Sequence, residues 1–321
     1  MPHVLVAGKL HPSGLALLAS APNVTFDYVE DVSEPSYAPL IGKAEGLVIR
    51  TQPLSAATVA RAGRLKIVSR HGVGFDSVHL PSLNERGIAL AVVGDVNSVS
   101  VAEQAMMLML AAGKRAIKAD RAVRDSCWSW RNRLEPCELW NKRLLIVGFG
   151  RSGRHLARMG DGFRMEVRAH DPLLARQGWP EGRVAPALDL AKGLAWADFV
   201  SVHAPKAERP VIGAPELAVM KPTAILVNTS RGGVVEEAAL IAALQGNRLA
   251  AAGLDVFDDE PPAPGSPLMT MDQVVLSPHV AGLTAECAER MAVSSIQNVL
   301  DFFAGSLDPA LVVNGGDING K

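Results

Sequence analysis

The sequence predicts an α/β protein with two doubly wound parallel sheets. Short apolar runs rich in Val, Ile and Leu alternate with helical stretches along nearly the whole chain, a pattern typical of parallel strands joined by crossover helices. A long apolar helical stretch interrupts this alternation once, near the middle. The chain has 321 residues, of which 48% are hydrophobic and 20% charged, so it is long enough for two hydrophobic cores.

Before the interruption, five apolar runs are predicted as strands: HVLVAG, VTFDYV, GLVIRT, LKIVSR and GIALAVV. The stretches SAATVARAG and LPSLNERG lie between them and are predicted as helices. Residues 99–118 are then predicted as one long helix. Its largely apolar surface indicates that it is buried between layers.

After this helix the alternation resumes with six apolar runs, the number expected of a doubly wound sheet. They are RLLIVG, EVRAHD, ADFVSVH, AILVNTS, AAAGLDVF and VVLSPH. Residues 285–304, approximately, are predicted as a closing helix. The Gly- and Asn-rich tail behind this helix is expected to fray.

Charge and cysteine content exclude several classes of protein. The formal net charge of −1 provides no general attraction to nucleic acid or to an acidic membrane. A local basic run extends from Lys114 to Arg133; a solvated helix face is the favoured interpretation and an anion-facing patch the alternative. The three cysteines form neither a C-x-x-C pair nor a zinc-binding pattern, so we expect no metal site and a reducing compartment.

No part of the sequence is expected to enter a membrane. No apolar run approaches the ~18 residues that span a bilayer. The segment GLALLASAP resembles a short signal sequence, but no basic segment precedes it and HVLVAG already has the pattern of a strand. We therefore expect a cytoplasmic protein.

The stretch LLIVGFGRSGRHLARMG has the pattern of a strand, a glycine turn and a helix. Gly148 permits the tight turn, Gly150 lets the backbone approach a pyrophosphate, and Gly153 lets the helix pack against the sheet. The helix N-terminus presents unpaired N–H groups and a positive dipole end to phosphates. A G-x-G-x-x-G motif alone is weak evidence, but this one follows a predicted strand and precedes a second strand that ends in Asp171.

Asp171 favours NAD over NADP as the cofactor. It follows Gly153 at close to the ~20 residues expected of an acid that binds the adenosine ribose hydroxyls. A carboxylate there repels a 2′-phosphate, and no arginine directly follows it. The alternative is a turn-forming aspartate before Pro172, which does not explain the joint spacing.

Three charged side chains follow later predicted strands, and parallel strands bring their carboxyl ends to one edge of a sheet. They are Arg231 in NTSRGG, Glu260 in DDEPP and His279 in SPHVAG. Reduction of a 2-keto acid needs a cation that binds the carboxylate, a task for which a guanidinium is suited. It also needs an acid that protonates the alkoxide, and a histidine beside a carboxylate can supply that proton. Taken singly, Arg231 and His279 have structural alternatives of equal weight, and Glu260 is better explained as a solvated loop acid.

Together these motifs resemble the D-isomer-specific 2-hydroxyacid dehydrogenases over essentially the whole chain. GFGRSG, NTSRGGVVEE, AGLDVFDDEPP and SPHVAGLT have the order and spacing of that family. The resemblance implies that Arg231 binds substrate, that His279 is the proton donor and that Glu260 is its paired acid. It also implies cofactor contacts for further positions: Arg151, Ser152, His203, Thr229, Ser230, Asp255, His279 and Gly282.

The resemblance further implies a domain arrangement. A Rossmann NAD-binding domain of residues 99–285 is inserted into a flavodoxin-like substrate-binding domain of residues 1–98 and 286–321. Hinges are expected near residues 97–100 and 281–286, where closure of the domains excludes water from the reaction. A homodimer through the region of residues 99–118 is the family-based expectation.

The expected substrate is a small D-2-hydroxy acid or 2-keto acid. In RHGVGFDSV, the N–H groups of Val73 and Gly74 are expected to receive its carboxylate in a nest, with a simple turn as the alternative. Arg50 and Arg70 resemble positions of the 3-phosphoglycerate dehydrogenases, in which the first arginine helps to bind a distal anion. A substrate with a second anionic group is therefore one hypothesis, and the alternative is that Arg50 pairs with a loop carboxylate.

Two rival functions stay open on the sequence. A nucleotide-sensing, corepressor-like binding protein of the same fold can retain Arg231, Glu260 and His279, although the long disordered tail that favours this class is not evident. Formate dehydrogenases are expected to carry glutamine where Glu260 stands, which argues against that activity. The segment HAPKAERPVIG lacks the Thr-rich pattern typical of the family, and this leaves the identity of the substrate open.

Overall fold

The computed structural model describes residues 1–318, which form two α/β units. The first unit contains Met1–Asn97 and the chain from Leu283 onward, and the second contains Ser98–Gly282. Both junctions fall within the segments expected to act as hinges. Each unit has its own parallel sheet, so the predicted fold class is confirmed.

The strands are short, and most lie within the apolar runs identified from the sequence. In chain order they are β1 (His3–Ala7), β2 (Thr25–Val29), β3 (Gly46–Ile49), β4 (Ile67–Arg70), β5 (Ala89–Ala91), β6 (Arg143–Val147), β7 (Glu166–His170), β8 (Ala185–Pro186), β9 (Phe199–Val202), β10 (Ile225–Asn228), β11 (Ala251–Leu254) and β12 (Val274–Leu276). The α-helices are α1 (Pro12–Ser20), α2 (Glu34–Tyr37), α3 (Ala56–Arg61), α4 (Leu80–Glu85), α5 (Ser98–Gly113), α6 (Ala116–Arg124), α7 (Arg151–Gly162), α8 (Pro172–Gln177), α9 (Leu190–Trp196), α10 (Ala214–Val219), α11 (Glu237–Gln245), α12 (Ala285–Ala304) and α13 (Gly315–Ile318). Short 3-10 helices cover Ala38–Lys43, Trp128–Arg133, Pro267–Thr270 and Pro309–Leu311.

The five-stranded sheet of the first unit has the order β2-β1-β3-β4-β5, and every neighbouring pair is parallel. This is the flavodoxin-like order that the resemblance implies. The strand that follows β1 in the chain lies on one side of it and β3 lies on the other, so the order reverses between β1 and β3. The carboxyl ends of these two strands therefore border the crevice in which doubly wound sheets bind ligands.

Apolar burial on both faces stabilises this sheet. Successive side chains of a strand point to opposite faces, so Leu5 packs into one buried cluster and Val4 into another. The second cluster includes Ile296 and Val299 of α12, which covers one face of the sheet. Strands covered on both faces have nearly continuous apolar sequences, and this explains why the runs of β1, β3, β4 and β5 were recognisable. The residues of β2 are exposed or half-buried. The closing helix has the predicted bounds.

The expected fraying of the C-terminal tail is wrong for the part that the structure describes. Asn314 is buried, and its side-chain oxygen accepts a hydrogen bond of 2.8 Å from the Leu90 amide. Its side-chain nitrogen donates to the Ile88 carbonyl at 2.9 Å and to the Asn84 side chain at 2.8 Å. These hydrogen bonds hold the described part of the tail beside β5. Residues 319–321, which belong to the same prediction, lie outside the described residues.

The second unit contains a seven-stranded sheet with the order β12-β11-β10-β9-β6-β7-β8, again parallel throughout. This is the dinucleotide-binding order with one additional strand. The sequence predicted six of the seven strands and missed β8. That strand pairs only its two residues with β7, which is too short to produce an alternating or apolar pattern. The strand order reverses between β6 and β9, which places the ligand crevice at their carboxyl ends.

The single long helix predicted for residues 99–118 is instead two helices, α5 and α6. Arg115 has a left-handed backbone conformation (φ 53°) between them. The Gly113 carbonyl accepts a hydrogen bond of 2.8 Å from the Cys137 amide, so it is not used to continue the helix. Helix α5 is largely buried, as predicted, but no residue of α6 is buried. Within the described residues, none of the helices is both long and apolar enough to cross a membrane.

The basic run after Gly113 has the properties of a solvated surface. Arg124 pairs with Asp120 one helical turn away at 2.7 Å. Lys118 pairs with Glu135 at 3.2 Å. The first pair is exposed and the second half-buried, and pairing of these cations with carboxylates supports the favoured interpretation over an anion-facing patch.

Candidate active site

The glycine turn lies between β6 and α7, at the point where the order of the second sheet reverses. Gly148 has a φ of +93°, and a Cβ atom there would lie 2.7 Å from the backbone nitrogen of Ala204. A Cβ atom on Gly153 would lie 2.5 Å from the Gly148 carbonyl oxygen, whereas one on Gly150 would meet nothing within 4 Å. Gly148 and Gly153 therefore allow close packing, whereas Gly150 faces open space. Arg151 and Ser152 open α7, whose free N–H groups attract phosphates.

Asp171 directly follows β7 and is the N-cap of helix α8. Its Oδ1 atom accepts hydrogen bonds from the amides of Leu173 and Leu174 at 3.0 and 3.1 Å. Its Oδ2 atom accepts one of 2.9 Å from the Phe149 amide in the glycine turn. The turn-forming alternative is thus realised, and the carboxylate is held against the glycine turn as well.

A cavity of about 290 Å³ adjoins Asp171. Asp171, Arg176 and Trp179 are among its lining residues, so the sequence argument that no arginine directly follows the acid missed a cation in the same cavity. The open space at Gly150 and this cavity fit the phosphates and the adenosine of a dinucleotide. Of the residues that the structure describes, no group of three His, Cys, Asp or Glu could hold a metal ion.

His203 follows β9, on the opposite side of the same crevice from the glycine turn. Its backbone amide donates to the Val147 carbonyl at 2.7 Å. Its Nε2 atom lies 2.9 Å from the Ser201 hydroxyl. Burial lowers the pKa of His203 to about 4, so the ring is neutral near pH 7 and can contribute hydrogen bonds but no charge to a bound cofactor.

His279 and Glu260, predicted as a pair, are in direct contact. The His279 Nδ1 atom lies 2.6 Å from Glu260 Oε2. The other carboxylate oxygen of Glu260 accepts a hydrogen bond of 3.2 Å from the Phe257 amide. This contact orients the imidazole and leaves its Nε2 atom for exchange of a proton. His279 has a φ of +52°, a left-handed conformation that is uncommon for residues other than glycine and is best tolerated by asparagine, aspartate and histidine.

The loop that carries His279 is held by Asp255, which is completely buried. The carboxylate accepts hydrogen bonds from the amides of Val280 and Ala281 at 3.0 and 2.8 Å. The Ser277 hydroxyl donates to this carboxylate at 2.5 Å and in turn accepts a hydrogen bond of 2.9 Å from the side-chain nitrogen of Gln104. The structure therefore assigns Asp255 a positioning contact in addition to the cofactor contact implied by resemblance. Gly282 follows as the last residue of the second unit.

Arg231 lies on the loop after β10, next to the loop that leads to Glu260. A Cβ atom on Gly232 would overlap the Phe257 carbonyl, so only glycine fits at this crossing of the two loops. The Gly233 amide donates to Asp258 Oδ1 at 2.8 Å. The guanidinium of Arg231 donates to the Ser230 carbonyl at 2.7 Å. The structure thus joins Glu260 to His279 directly and places Arg231 on the adjoining loop.

Asn228, the last residue of β10, orders the Arg231 loop and was missed from the sequence. Its side-chain oxygen accepts hydrogen bonds from the amide and the hydroxyl of Ser230 at 3.0 and 2.8 Å. Its side-chain nitrogen donates to the Arg231 carbonyl at 3.1 Å. The Thr229 hydroxyl is buried and has no partner in the described part of the chain. The N-x-S spacing in NTS could have indicated such a local side-chain turn.

The first unit contains the predicted substrate residues at the carboxyl edge of its own sheet. Arg50, directly after β3, donates a hydrogen bond of 2.8 Å to the Lys9 carbonyl. Within residues 1–318 it makes no ion pair, so the predicted alternative of a loop carboxylate is not observed. The amides of Val73 and Gly74 donate no hydrogen bond to any group in residues 1–318. An anion-binding nest requires such free backbone N–H groups.

The chain is similar to known oxidoreductases along its whole length. The family model named "D-isomer specific 2-hydroxyacid dehydrogenase, NAD binding domain" matches residues 106–281. A glyoxylate reductase of Korarchaeum cryptofilum is 35% identical, and the similarity covers 97% of this chain and 96% of the relative. A D-3-phosphoglycerate dehydrogenase of Mycobacterium bovis is 36% identical over 99% of this chain, which spans 60% of that longer relative. Among solved structures, an NADPH-dependent glyoxylate/hydroxypyruvate reductase of Sinorhizobium meliloti has a TM-score of 0.85 at 27% identity, with 95% of each chain covered.

Proposed function

This chain belongs to the D-isomer-specific 2-hydroxyacid dehydrogenase family, and from that premise we propose that it transfers hydride between a nicotinamide cofactor and C2 of a small D-2-hydroxy acid or 2-keto acid. The observation that carries this proposal is the contact of 2.6 Å between His279 and Glu260. That pair lies in the unit that also contains the glycine turn. The relatives named above are enzymes, so the binding-protein alternative is not carried further.

Each proposed catalytic side chain has a task that suits its chemistry. When bound, the nicotinamide supplies or accepts the hydride. His279 donates a proton from Nε2 to the substrate oxygen during reduction and recovers it during oxidation. Glu260 fixes the orientation of the ring and balances the charge of the imidazolium. Arg231 pairs with the substrate carboxylate and polarises the C2 carbonyl, while the Val73 and Gly74 amides receive the carboxylate.

The experiment that tests this proposal is a substrate panel. The purified chain is mixed with NADH or NADPH and a series of 2-keto acids, and loss of reduced nicotinamide is followed by its absorbance. The panel includes glyoxylate, hydroxypyruvate, and phosphorylated and sulfonated 2-keto acids. We expect reduction of at least one member to the D-2-hydroxy acid. Unchanged absorbance with every member would contradict the proposed activity.

We propose NAD as the preferred cofactor, with Asp171 as the residue that binds the ribose hydroxyls. A carboxylate can accept up to about four hydrogen bonds. Asp171 accepts three from backbone amides, which leaves capacity for a ribose hydroxyl. Arg176 in the same cavity and the NADPH-dependent relative favour the opposite choice. The charge at Asp171 is therefore the property to change.

Substitution Asp171→Asn is expected to raise KM for NADH about tenfold and to change KM for NADPH much less, because a charge-assisted hydrogen bond to ribose is lost. Asparagine is chosen because it remains a good N-cap and so preserves α8. The measured quantity is the ratio of kcat/KM with NADH to that with NADPH. Asp189→Asn, at the cap of α9, is the matched control. An unchanged ratio in Asp171→Asn would show that this acid does not bind the ribose.

We propose that Arg50 binds a second anionic group on the substrate. Its guanidinium lies at the switch point of the first sheet and makes no ion pair in the described residues. Of the relatives, the D-3-phosphoglycerate dehydrogenase is named for a substrate with a distal anion and the glyoxylate reductase for one without. The substrate class therefore depends on whether Arg50 is used.

Substitution Arg50→Ala is expected to raise KM at least about tenfold for a dianionic acid such as 3-phosphohydroxypyruvate, since a charged hydrogen bond contributes roughly 1.5–3 kcal/mol. The rise for glyoxylate, which has no distal group, is expected to be several times smaller. Arg64→Ala removes an exposed arginine of the same unit that is paired with Glu45 and serves as control. Equal changes in KM for the two acids would reject the role of Arg50.

A homodimer and a cytoplasmic location complete the proposal. Several large apolar side chains are exposed on the segment from α5 to the 3-10 helix and the loop after it: Val99, Met107, Ile117, Val123, Trp128 and Leu134. Leu134 is 84% and Trp128 is 65% exposed. An apolar surface of this kind typically marks an association site, and a second copy of the chain related by a twofold axis is its proposed partner.

A further inference from the structure

Two chain segments meet at the switch point of the five-stranded sheet. Gly8 and Lys9 follow β1, and Arg50 to Gln52 follow β3. The Arg50 guanidinium donates to the Lys9 carbonyl, which joins the two segments. Doubly wound sheets bind ligands in the crevice at this place, so the side chains here are candidates for ligand recognition.

Gln52 is buried at this switch point. The side chain is 2% exposed, and within the described residues neither Nε2 nor Oε1 has a partner. Its Nε2 atom lies 3.0 Å from the position of a Cβ on Gly8, so the amide is packed against the glycine turn. A buried, unsatisfied amide destabilises a folded protein. A buried polar group without partners calls for an explanation, and at the ligand crevice of a doubly wound sheet a ligand that supplies the partners is one.

His71 adds a second unsatisfied group to the same edge of the sheet. It is 6% exposed, and its Nε2 atom has no partner in the described residues. Its backbone amide donates to the Ile49 carbonyl at 2.8 Å, which places it beside the end of β3. Burial and the charges of Arg50 and Arg70 lower the pKa of His71 to about 3. The imidazole is therefore neutral near pH 7 and offers one hydrogen-bond donor and one acceptor.

We propose that Gln52, with His71 beside it, forms a subsite that recognises a hydroxyl group on the substrate chain, next to the distal anion that Arg50 binds. This inference rests on the proposed function and specifies its substrate as a 2-keto acid hydroxylated beyond C2. A hydroxyl donates one hydrogen bond and accepts others, so it can satisfy both amide atoms of Gln52. An ionised carboxylate or phosphate only accepts hydrogen bonds, and it would leave Oε1 of Gln52 without a partner.

The test compares two pairs of acids whose members differ by one hydroxyl: hydroxypyruvate with pyruvate, and 4-hydroxy-2-oxoglutarate with 2-oxoglutarate. We expect the wild-type protein to prefer the hydroxylated member of at least one pair by about tenfold or more in kcat/KM. In Gln52→Leu, which has a similar volume and no hydrogen-bonding atoms, that preference should fall to within about twofold. Gln297→Leu, on the exposed part of α12, is the control and should retain it.

Thermal unfolding provides a second readout. Because leucine removes an unsatisfied amide, Tm of Gln52→Leu should equal or exceed that of the wild type. Titration of each acid into the protein, followed by the rise in Tm, measures binding without turnover. The subsite therefore remains testable even if the substrate panel shows no reduction.

Three results would overturn the inference. The first is absence of a hydroxyl preference in both pairs, in turnover and in binding. The second is a preference that persists in Gln52→Leu. The third is a fall in Tm of Gln52→Leu with equal losses for both members of each pair, which would assign the amide a structural role.

Discussion

Substitution His279→Asn is expected to lower kcat for reduction of the preferred 2-keto acid by about 10²- to 10⁴-fold, the range attributed to general acid catalysis. The dissociation constant for NADH should change far less than kcat does. The reason is local: the His279 side chain contacts Glu260, whereas the loop is held through backbone amides by Asp255. The substitution therefore removes the proton donor and retains the conformation of the loop that carries it.

Asparagine is the informative replacement because of the backbone conformation. His279 has a φ of +52°, and asparagine is among the few residues that adopt this region readily. Alanine would add a backbone effect to the chemical one. Single-turnover rates measure the chemical step, and titration of NADH fluorescence measures cofactor binding. Turnover at the wild-type rate in His279→Asn would remove this residue from the proposed mechanism.

The second large effect is expected for Arg231. Arg231→Gln should lower kcat/KM by about 10²- to 10³-fold, as loss of one donor to a developing oxyanion does, with a rise in KM as well. Arg231→Lys keeps the charge but loses the planar pair of donors, so its kcat/KM should lie between those of the wild type and Arg231→Gln. Initial rates over a range of 2-keto acid concentrations measure both parameters.

The loop geometry makes this comparison interpretable. Asn228 contacts the Arg231 carbonyl and Ser230, and Gly232 packs on the Phe257 carbonyl. These contacts do not involve the guanidinium, which itself donates to the Ser230 carbonyl, so both variants should retain the backbone contacts that order the loop. Equal activity of Arg231→Gln and the wild type would exclude Arg231 from carboxylate binding. Loss of NADH affinity in Arg231→Lys would instead indicate damage to the loop.

Much of the fold could be predicted because most of its strands are buried on both faces. Residues such as Leu47 and Val48 on adjacent positions are both fully buried, which produces the continuous apolar runs on which the strand predictions depend. Strand β8 has no such signal, since both of its residues are exposed. The end of helix α5 at Gly113 also could not be predicted, because the Cys137 amide that donates a hydrogen bond to the Gly113 carbonyl is distant in sequence.

The candidate site could be predicted where chemistry and spacing coincide. His279 and Glu260 have residue types that suit proton exchange, and the structure joins them. Gln104 could not be recognised, because its role depends on a contact with Ser277 across a large sequence separation. Gln52 was missed for a related reason: only the packed structure shows that its side-chain amide is buried and has no partner among residues 1–318.

The most direct test of the account is a single-turnover reduction with nicotinamide deuterated at the transferred position. With the wild-type protein, we predict that the deuterium appears at C2 of a D-2-hydroxy acid, and that His279→Asn forms the same product far more slowly with NADH still bound. Deuterium absent from C2 would contradict hydride transfer to that carbon, and an L-configured product would contradict the assigned stereochemistry.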